Sequence, residues 1–399
     1  MLKSENTKIF YLWSAQLISS TGDAIYQIAL IWLVLDITGS NTITGLVALS
    51  AYLPAMLFGL IAGVMVDRYN RLRLMLISNF SQAITVIIIP ILLTMGYENV
   101  YLIGLLAFIR SSFGTMFPPA LNAFIPTIVP TNLLIRVNSL LATSAQLAYL
   151  IGPATAAILL SQISLKYLFA LDSLSFLLAL GLLLMIKSGK QKNAAKPTSH
   201  NWHELVTGLK YIKSNRTIGY ILGLTIINNL FIMGPAIVGM PILVKDALHG
   251  SASDYAAIEA CYAIGMLISS FIIFRIGNNF RTGTVLMLGM IIDGLTFSFL
   301  YFINSVPVVM GMIIIHALGI PMITISRTAI IQKYVPNRLQ GRVFSMIHLA
   351  VVGLTGVSSA LIGIMADIIH IQTVFLVIGF GAAACGIIGI FYKEIRRLE

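Results

Sequence analysis

The sequence predicts an all-α integral membrane protein with twelve transmembrane helices. Of its 399 residues, 58% are hydrophobic and only 10% are charged, and the mean hydropathy is +0.93. A chain of this composition has too little polar surface to coat a water-soluble globule. Apolar runs of about 20 residues, the length that crosses the hydrocarbon as a helix, recur along the whole chain. They do not alternate polar and apolar residues as the strands of a membrane barrel do, so helices are expected to span the membrane.

Counting these runs places both ends of the chain on the same side of the membrane. The predicted spans are 9–35, 43–66, 74–95, 100–126, 138–162, 166–187, 217–244, 254–275, 283–303, 306–331, 343–367 and 372–392. With both termini in the cytoplasm, 21 of the 25 Lys and Arg residues fall on that side, all except Lys166, Lys245, Arg110 and Arg327. Basic residues are enriched in cytoplasmic loops. We therefore expect a multi-pass protein of the bacterial inner (plasma) membrane, with a retained first helix and no nucleic acid as a partner.

A polar interruption at 188–216 separates six predicted spans from six. A set of residues in the loop after the fourth span recurs 206 residues later, after the tenth span. Val129, Pro130, Arg136, Val137 and Ser139 correspond to Val335, Pro336, Arg342, Val343 and Ser345. We therefore predict two six-helix pseudo-repeats, 1–187 and 217–399, joined by the cytoplasmic linker 188–216. Asn201 and Glu204 have the spacing of a capping box, which predicts a surface amphipathic helix in the linker; a partly ordered linker is the alternative.

A compact charged turn lies between the second and third predicted spans. An acid and three arginines within seven residues cannot lie in lipid, so this segment must be a short loop between two membrane helices. Its five notable residues are Gly63, Asp67, Arg68, Arg71 and Arg73. In a chain of twelve predicted spans, this pattern resembles the loop motif of the major facilitator superfamily, with Asn70 where that family usually has a second glycine, a residue that also tolerates a left-handed turn.

Two further motifs carry the same resemblance. Arg110 is followed four residues later by Gly114 in the fourth span, similar to the intramembrane arginine of the family. Gly152 and Pro153 in the fifth span are similar to its exporter motif, although Ala156 and Ala157 replace the glycines that usually follow. Gly22-Asp23 in the first span and Gly39-Ser40 at its end look most like the macrolide-efflux and enterobactin-exporter type.

The resemblance implies a monomeric secondary transporter with the major facilitator fold, working by alternating access, without enzymatic activity and without a cofactor. It also implies that Asp67 docks near Gly341 and Arg342 at the cytoplasmic start of span eleven, where a helix N-terminus favours an anion. That contact would hold the two halves together on the cytoplasmic side. The alternative is a basic loop that only sets the topology.

Asp23 and Arg110 are the first candidates for ion coupling. Asp23 lies about 14 residues into the first predicted span and Arg110 about 10 residues into the fourth, which at about 1.5 Å per residue places both near the middle of the membrane. An ionisable residue at that depth is costly and is a functional candidate by default. The two side chains can therefore face each other, so that a proton or another coupling ion would switch the pair. A purely structural ion pair is the alternative.

The 206-residue offset places Asn229 at the position of Asp23 and His316 at that of Arg110. This predicts a similar polar group in the second half, with an amide in place of the carboxylate and a histidine in place of the arginine. The histidine either takes part in coupling, since histidine titrates near neutral pH in an ordinary environment, or only packs. Asp293, about 10 residues into span nine, is a further candidate for coupling or substrate binding. Glu259 and Asp172 lie nearer the outer ends of their spans, where we expect them to be solvated.

Neutral polar residues at mid-depth are candidates for substrate contacts in an otherwise apolar cavity. They are Gln16, Gln27, Gln146, Tyr149 and Asn228. Asp23 and Gln27 lie one helical turn apart and would offer oxygen ligands, but no dense carboxylate or histidine cluster joins them, which disfavours a transition-metal site. The two cysteines, Cys261 and Cys385, lie inside apolar runs and are expected to be packing residues.

The sequence therefore predicts proton-coupled export of an amphipathic small molecule, a drug-like compound or a siderophore. Within the same architecture, an importer of a siderophore-like solute or a ferroportin-like divalent metal exporter is the alternative. A non-transporting membrane sensor or a polytopic membrane enzyme is the alternative of another class, and the six-plus-six symmetry and the absence of a catalytic motif argue against it.

Overall fold

A computed structural model of the chain describes residues 2–130, 133–186, 209–276, 280–396 and 398, and these residues form helices joined by short loops. The principal helices are α1 (Leu2–Thr38), α2 (Asn41–Arg68), α3 (Arg71–Thr94), α4 (Val100–Gly114), α5 (Phe117–Ile128), α6 (Leu134–Leu160), α7 (Lys166–Leu184), α8 (Arg216–Gly234), α9 (Ala252–Ile276), α10 (Thr282–Phe299), α11 (Val306–Ala317), α12 (Gly319–Tyr334), α13 (Asn337–Ile368), α14 (Ile371–Phe391) and α15 (Lys393–Arg396). In the described residues, twelve segments are long and apolar enough to cross a membrane. The predicted all-α class and the number of spans are therefore confirmed.

Two of these membrane segments are each built from two helices. The fourth combines α4 and α5, and the tenth combines α11 and α12. Proline accounts for both interruptions, because it lacks the backbone N–H that continues a helix. Pro118 and Pro119 lie in the first turn of α5, and Pro321 is the third residue of α12.

The seventh membrane segment continues beyond α8 in wider helical turns. The backbone of Pro235–Gly239 and of Leu243–Ala247 has π-helical hydrogen bonding, with Met240–Ile242 between them. Pro235 and Pro241 lie in this stretch and remove two backbone donors, which is consistent with the local widening.

The first compact unit comprises Met1–Gly39 and Ser50–Ser199. Helix α1 packs against α6 and α7, and α3 packs against α4, α5 and α7. The apolar core at one end of this unit includes Leu12, Met75, Phe124 and Leu183, which are almost fully buried. Because α1 contacts two neighbours along its length, its polar residues are held at fixed positions within this unit.

The second compact unit comprises Ser40–Leu49 and His200–Glu399. Helix α10 packs against α12 and α14, and α8 packs against α13 and α14. The beginning of α2 belongs to this unit. There Asp367, near the end of α13, accepts hydrogen bonds from the backbone N–H groups of Asn41 (3.2 Å) and Thr42 (2.9 Å). A carboxylate in this position satisfies backbone donors that have no partner within the helix.

The amphipathic helix predicted in the linker, at Asn201–Glu204 and the residues that follow, lies outside the described residues for most of its length. Asn70, at the position where the resembling family usually has a glycine, does not adopt a left-handed turn. Asn70 has extended backbone (φ −64°, ψ 119°) and its side chain accepts a hydrogen bond from the N–H of Arg73, so it caps the N-terminus of α3. Asparagine suits this position because its short side chain reaches an otherwise unpaired N–H.

Candidate functional site

Three ionisable side chains meet inside the first unit and form what we call the acid–arginine cluster. Arg110 on α4 donates from Nη2 to Oδ1 of Asp23 on α1 at 2.5 Å and to Oδ2 of Asp172 on α7 at 3.1 Å. The contact between Asp23 and Arg110 that their depths predicted is confirmed. Charge-assisted hydrogen bonds of this kind are stronger than neutral ones, so one guanidinium group ties three helices together.

Close helix contacts fix the position of Asp23. Its neighbour Gly22 faces α7, where a Cβ would overlap the side chain of Ser175. Its other neighbour, Ala24, faces Gly152 on α6, where a Cβ would lie 2.6 Å from that of Ala24. Small residues at these points let the helix backbones approach closely. Gly152 of the fifth-span motif therefore serves the packing of α1 against α6 at the level of the cluster.

The environment of Asp172 differs from the one that its place in the sequence predicts. A position near the outer end of its span predicts a solvated side chain, but the side chain is 0% exposed. The distance from the start of α7 gave only a depth, whereas the packing of α7 against α1 and α3 turns this face inward. Asp172 also lies 3.5 Å from the hydroxyl of Ser175 through Oδ1. It is a buried counter-ion for Arg110.

Aromatic rings enclose the guanidinium group of Arg110. Its central carbon lies 3.8 Å from the ring centroid of Tyr26 and 5.3 Å from that of Phe176. Tyr26 is itself held by an edge-to-face contact with Phe169 at 5.6 Å. Cations are attracted to ring faces at these distances. The rings therefore help to keep the arginine in place when its carboxylate partners change.

A cavity of about 300 Å³ adjoins the cluster within the first unit. Its walls come from α1, α3, α4, α5 and α7, together with Ala55 of α2, and its polar lining includes Gln16, Asp23, Asn79, Gln82 and Arg110. The Asp23 side chain is 47% exposed, whereas that of Arg110 is 13% exposed. Asp23 is therefore the acid of the cluster that a molecule in this cavity can reach.

Three buried polar atoms of this cavity lack a hydrogen-bond partner among the described residues. They are Oε1 of Gln16, Nδ2 of Asn79 and Nε of Arg110. A buried polar group without a partner is destabilising, so these atoms offer one acceptor and two donors to a ligand. Asn79 and Gln82 are not among the candidates predicted from the sequence, although two amides three residues apart in an apolar helix are a usable signal.

The charges of the cluster do not balance. Two carboxylates and one guanidinium group, all ionised, carry a net charge of −1. A net charge in a largely dry site is costly, so the arrangement favours one additional positive charge, supplied by a proton on a carboxyl group or by a cationic ligand.

The second unit brings together Asp293 and His316, which we call the acid–histidine pair. His316 Nδ1 lies 2.9 Å from the hydroxyl of Thr296 and 3.2 Å from the carbonyl oxygen of Asp293, and His316 Nε2 lies 4.0 Å from Asp293 Oδ1. Both side chains are almost fully buried. The sequence named these two residues separately, and the packing of α10 against α11 joins them.

Asn229, which corresponds to Asp23 by the 206-residue offset, makes a different kind of contact. Its Nδ2 donates to the carbonyl oxygen of Val351 on α13 at 3.3 Å, because α8 packs against α13 and α14. Asn228 is buried, and its Nδ2 lacks a partner among the described residues. The described contacts thus give Asn229 a role in helix packing.

The other candidate residues lie away from the cavity described above. Gln27 is exposed and donates to the hydroxyl of Tyr52, and Gln146 and Tyr149 have exposed side chains on α6. In the charged loop, Arg68 and Arg73 are exposed and Gly63 has open space around it. The Asp67 side chain, and with it the predicted contact near Gly341 and Arg342, lies outside the described part of the structure. Among the described residues, no group of three His, Cys, Asp or Glu could hold a metal ion.

Comparison with known proteins agrees with this architecture. The transmembrane secretion effector family matches residues 5–398. Macrolide efflux protein A of Streptococcus pyogenes is 26% identical over 399 residues, covering 98% of this chain and 97% of that protein. The multidrug efflux pump Tap of Mycobacterium tuberculosis (strain ATCC 25618 / H37Rv) is 23% identical over 413 residues, covering 100% of this chain and 96% of that protein.

Among solved structures, a bacterial homologue of the human lysosomal transporter Spinster has a similar fold. The TM-score is 0.71 at 12% sequence identity, covering 99% of this chain and 96% of that one. At this identity the likeness concerns the fold alone, whereas the family match spans nearly the whole sequence. The chain therefore belongs to the transmembrane secretion effector family, a group of efflux-type transporters within the major facilitator superfamily.

Proposed function

We propose that the protein exports amphipathic, cationic drug-like molecules across the bacterial plasma membrane in exchange for protons, by alternating access. The acid–arginine cluster is the coupling site in this proposal. Support comes from the buried arginine shared by two carboxylates, from the adjoining cavity, and from relatives named as efflux proteins. Both termini would lie in the cytoplasm, in agreement with the distribution of Lys and Arg.

The single observation that carries the proposal is the unequal exposure of the two acids around Arg110. Asp172 is 0% exposed and keeps the arginine neutralised, whereas Asp23 is 47% exposed and opens onto the cavity. Arginine does not lose its proton in proteins. Changes of charge in the cluster would therefore take place at Asp23, which is the requirement for a site where a proton and a substrate compete.

Competition at Asp23 gives an exchange mechanism. When Asp23 binds a proton, its attraction for Arg110 and for a cationic substrate weakens, and the substrate can leave. When Asp23 loses the proton, a substrate cation restores the charge balance of the cluster. Each state has a net charge near zero, and the fully ionised, empty state is the costly one. Binding of one cation would thereby displace the other.

The cavity favours an amphipathic organic substrate over a metal ion. Aromatic and apolar side chains such as Phe117, Pro118 and Phe176 stand beside the unpartnered atoms of Gln16 and Asn79. Sites of this kind bind organic molecules through apolar contact and a few placed hydrogen bonds. Macrolides are the preferred class, since the relative in Streptococcus pyogenes is named for them. A siderophore is the second candidate because it offers several oxygen groups to the same amides.

Purified protein in proteoliposomes with an imposed pH gradient tests the proposal. The panel comprises erythromycin, a catecholate siderophore and divalent metal ions. We expect erythromycin flux that follows the gradient, with a loss of at least about tenfold in Asp23→Asn, because the substituted amide cannot exchange a proton for the substrate. Glu98→Gln, which changes an exposed carboxyl group, is the matched control and should leave the flux unchanged.

Three outcomes would contradict parts of this proposal. Gradient-driven flux of a divalent metal without flux of organic compounds would favour the metal exporter. Full proton-driven transport in Asp23→Asn would remove the coupling role of the cluster. A wild-type protein that moves none of the panel under any gradient would favour a non-transporting membrane sensor.

A further inference from the structure

The second unit contains a carboxyl group and an imidazole that are buried together, and no Lys or Arg of the described residues forms an ion pair with either. Asp293 on α10 is 2% exposed and His316 on α11 is 0% exposed. Oδ1 of Asp293, Nε2 of His316 and the hydroxyl oxygen of Tyr262 are buried and have no hydrogen-bond partner among the described residues. Such groups are normally satisfied in folded proteins, so the two unpartnered atoms of Asp293 and His316, 4.0 Å apart, indicate that something binds between them.

The hydrogen bonds of His316 fix the position of its proton. Nδ1 lies 3.2 Å from the backbone carbonyl oxygen of Asp293, which can only accept. Nδ1 also lies 2.9 Å from the hydroxyl of Thr296, which donates its own hydrogen to a backbone carbonyl oxygen, that of Ile292 at 2.6 Å or that of Asp293 at 3.0 Å. Both neighbours of Nδ1 therefore accept, and Nδ1 carries the hydrogen. In the neutral ring, Nε2 is then a bare acceptor.

This bare nitrogen faces a second acceptor. His316 Nε2 and Asp293 Oδ1 are 4.0 Å apart. A water molecule that donated to both atoms at the ordinary distance of about 2.8 Å, with its usual bent geometry, would hold them further apart than 4.0 Å. Because both atoms are acceptors, they cannot form a hydrogen bond with each other unless one of them gains a hydrogen. A single proton supplies it, with a small movement that closes the gap to a direct hydrogen bond.

The surroundings of the pair keep water away. Phe297 stacks on the imidazole with centroids 4.0 Å apart and planes 1° apart, and Phe375 closes the far side of Phe297 at 5.2 Å. Tyr262 meets the imidazole edge-on at 5.5 Å. At Gly319, the first residue of α12, a Cβ would lie 2.5 Å from Asp293 Oδ1. The interruption between α11 and α12 therefore provides the space for the carboxyl group.

Few other titratable groups can act on the pair. Tyr262 and Glu259 on α9 are the nearest along the packed helices, and in the described residues Glu259 forms no hydrogen bond or ion pair with either member. On α9, α12 and α14, which pack against α10 or α11, the remaining titratable or charged residues are Asp254, Tyr255, Cys261, Arg275, Arg327, Lys333, Tyr334 and Cys385. The other helices that contact α10 carry Arg216 and Tyr220 on α8 and Lys393, Glu394 and Arg396 on α15. The ion pairs of the described residues include none between these groups and the pair.

We infer that Asp293 and His316 together bind one proton and form a second proton-binding site, distinct from the acid–arginine cluster. The proton adds either to the carboxylate, which then donates an O–H to Nε2, or to Nε2, which then donates to the carboxylate. In both forms the pair passes from a net charge of −1 to zero, and no other bond breaks. Loss of the proton requires water to reach the pair, so a conformational change would control it. Its part in transport rests on the proposed function, whereas the proton binding does not.

Infrared and ¹⁵N-histidine spectra of the full-length protein in lipid bilayers at pH 7.5 test the site directly. At that pH exposed carboxyl groups are ionised. We expect one of two signatures: a protonated carboxyl band that disappears in Asp293→Asn, or an imidazolium signal that disappears in His316→Gln. Glu98→Gln should change neither. In the wild-type protein alone, the ¹⁵N spectrum should show one histidine with hydrogen on Nδ1 and a hydrogen-bonded or protonated Nε2, a result independent of how the variants fold.

An ionised Asp293 beside a neutral His316 with a free Nε2 would overturn the inference. Transport provides the second arm: with erythromycin as the probe, Asp293→Asn should lower the number of protons moved per erythromycin by one. An unchanged ratio would overturn the part of the pair in transport. If the wild-type protein moves no erythromycin but shows the spectroscopic signature, the site stands and the proposed function fails.

Discussion

The two units place ionisable groups on equivalent helices but satisfy them in different ways. Arg110 and His316 are separated by the 206-residue offset of the sequence repeat, and each lies just before the interruption of its membrane segment. Arg110 has two carboxylate partners and a cavity beside it, whereas His316 has one carboxyl neighbour and a closed aromatic environment. One cluster is open to a ligand and the other is sealed.

The acids of the two clusters do not occupy corresponding positions when the two halves are aligned by the 206-residue offset. The positions that correspond to Asp23 and Asp172 in the second unit are Asn229 and Ile378, and the position that corresponds to Asp293 in the first unit is Ile87. A basic residue therefore lies at the matching position of the fourth and tenth membrane segments, while the acids beside it lie on different helices. Arginine keeps its charge, so its cluster responds through the acids; histidine can lose its charge, so its pair can respond as a unit.

The largest expected effect that separates the clusters is on stability. Arg110→Gln leaves Asp172 and Asp23 without their cation, and loss of one partner of a buried ion pair costs about 3–5 kcal/mol. His316→Gln removes a hydrogen-bonded ring from a pair whose net charge is zero when it holds its proton, for which we expect about 1–3 kcal/mol. Chemical unfolding in detergent measures both. Arg73→Gln, at an exposed position, serves as the control. Equal losses of stability in Arg110→Gln and His316→Gln would contradict the predicted difference between the clusters.

A smaller effect is expected for ligand binding in the open cavity. Asn79→Leu removes an unpartnered donor and should weaken erythromycin binding by about tenfold, or about 1.4 kcal/mol. Stability should change little, because no hydrogen bond of the described structure is lost with that donor. Tryptophan fluorescence titration in detergent measures the affinity. Gln146→Leu, on an exposed face of α6, is the matched control, and a larger loss there than in Asn79→Leu would move the binding site to the residue chosen from sequence.

The smallest effect should come from the sealed pair. Thr296→Val removes one of two acceptors of the His316 Nδ1 hydrogen, while the Asp293 carbonyl oxygen remains, so we expect a loss of about 1 kcal/mol. Thr324→Val is a close control, since this exposed threonine also donates to the carbonyl oxygen four residues earlier. A histidine ¹⁵N signal with hydrogen moved to Nε2 in wild type would contradict the assigned tautomer.

The sequence was sufficient for the elements and for the depth of the charges. Length and hydropathy predicted all twelve spans, and the depth of Asp23 and Arg110 predicted their contact. Depth is only one coordinate, however. The direction in which a side chain points depends on which helices pack against its own helix, and depth does not predict this. Asp172 is therefore buried where a solvated side chain is predicted, and Asn229 bonds to α13. Asn79 and Gln82 were readable in principle as paired amides in an apolar helix.

The close contacts of α1 restrict how this protein can change its range of substrates. Gly22 touches α7 and Ala24 touches Gly152 on α6, so side chains beside Asp23 cannot grow without displacing a neighbouring helix. Asn79 and Gln82 on α3 and Ser111 on α4 line the same cavity from helices that lie on the other side of it. Variants selected for export of a new compound should therefore carry substitutions on α3 and α4, while the α1 sequence around Asp23 stays unchanged.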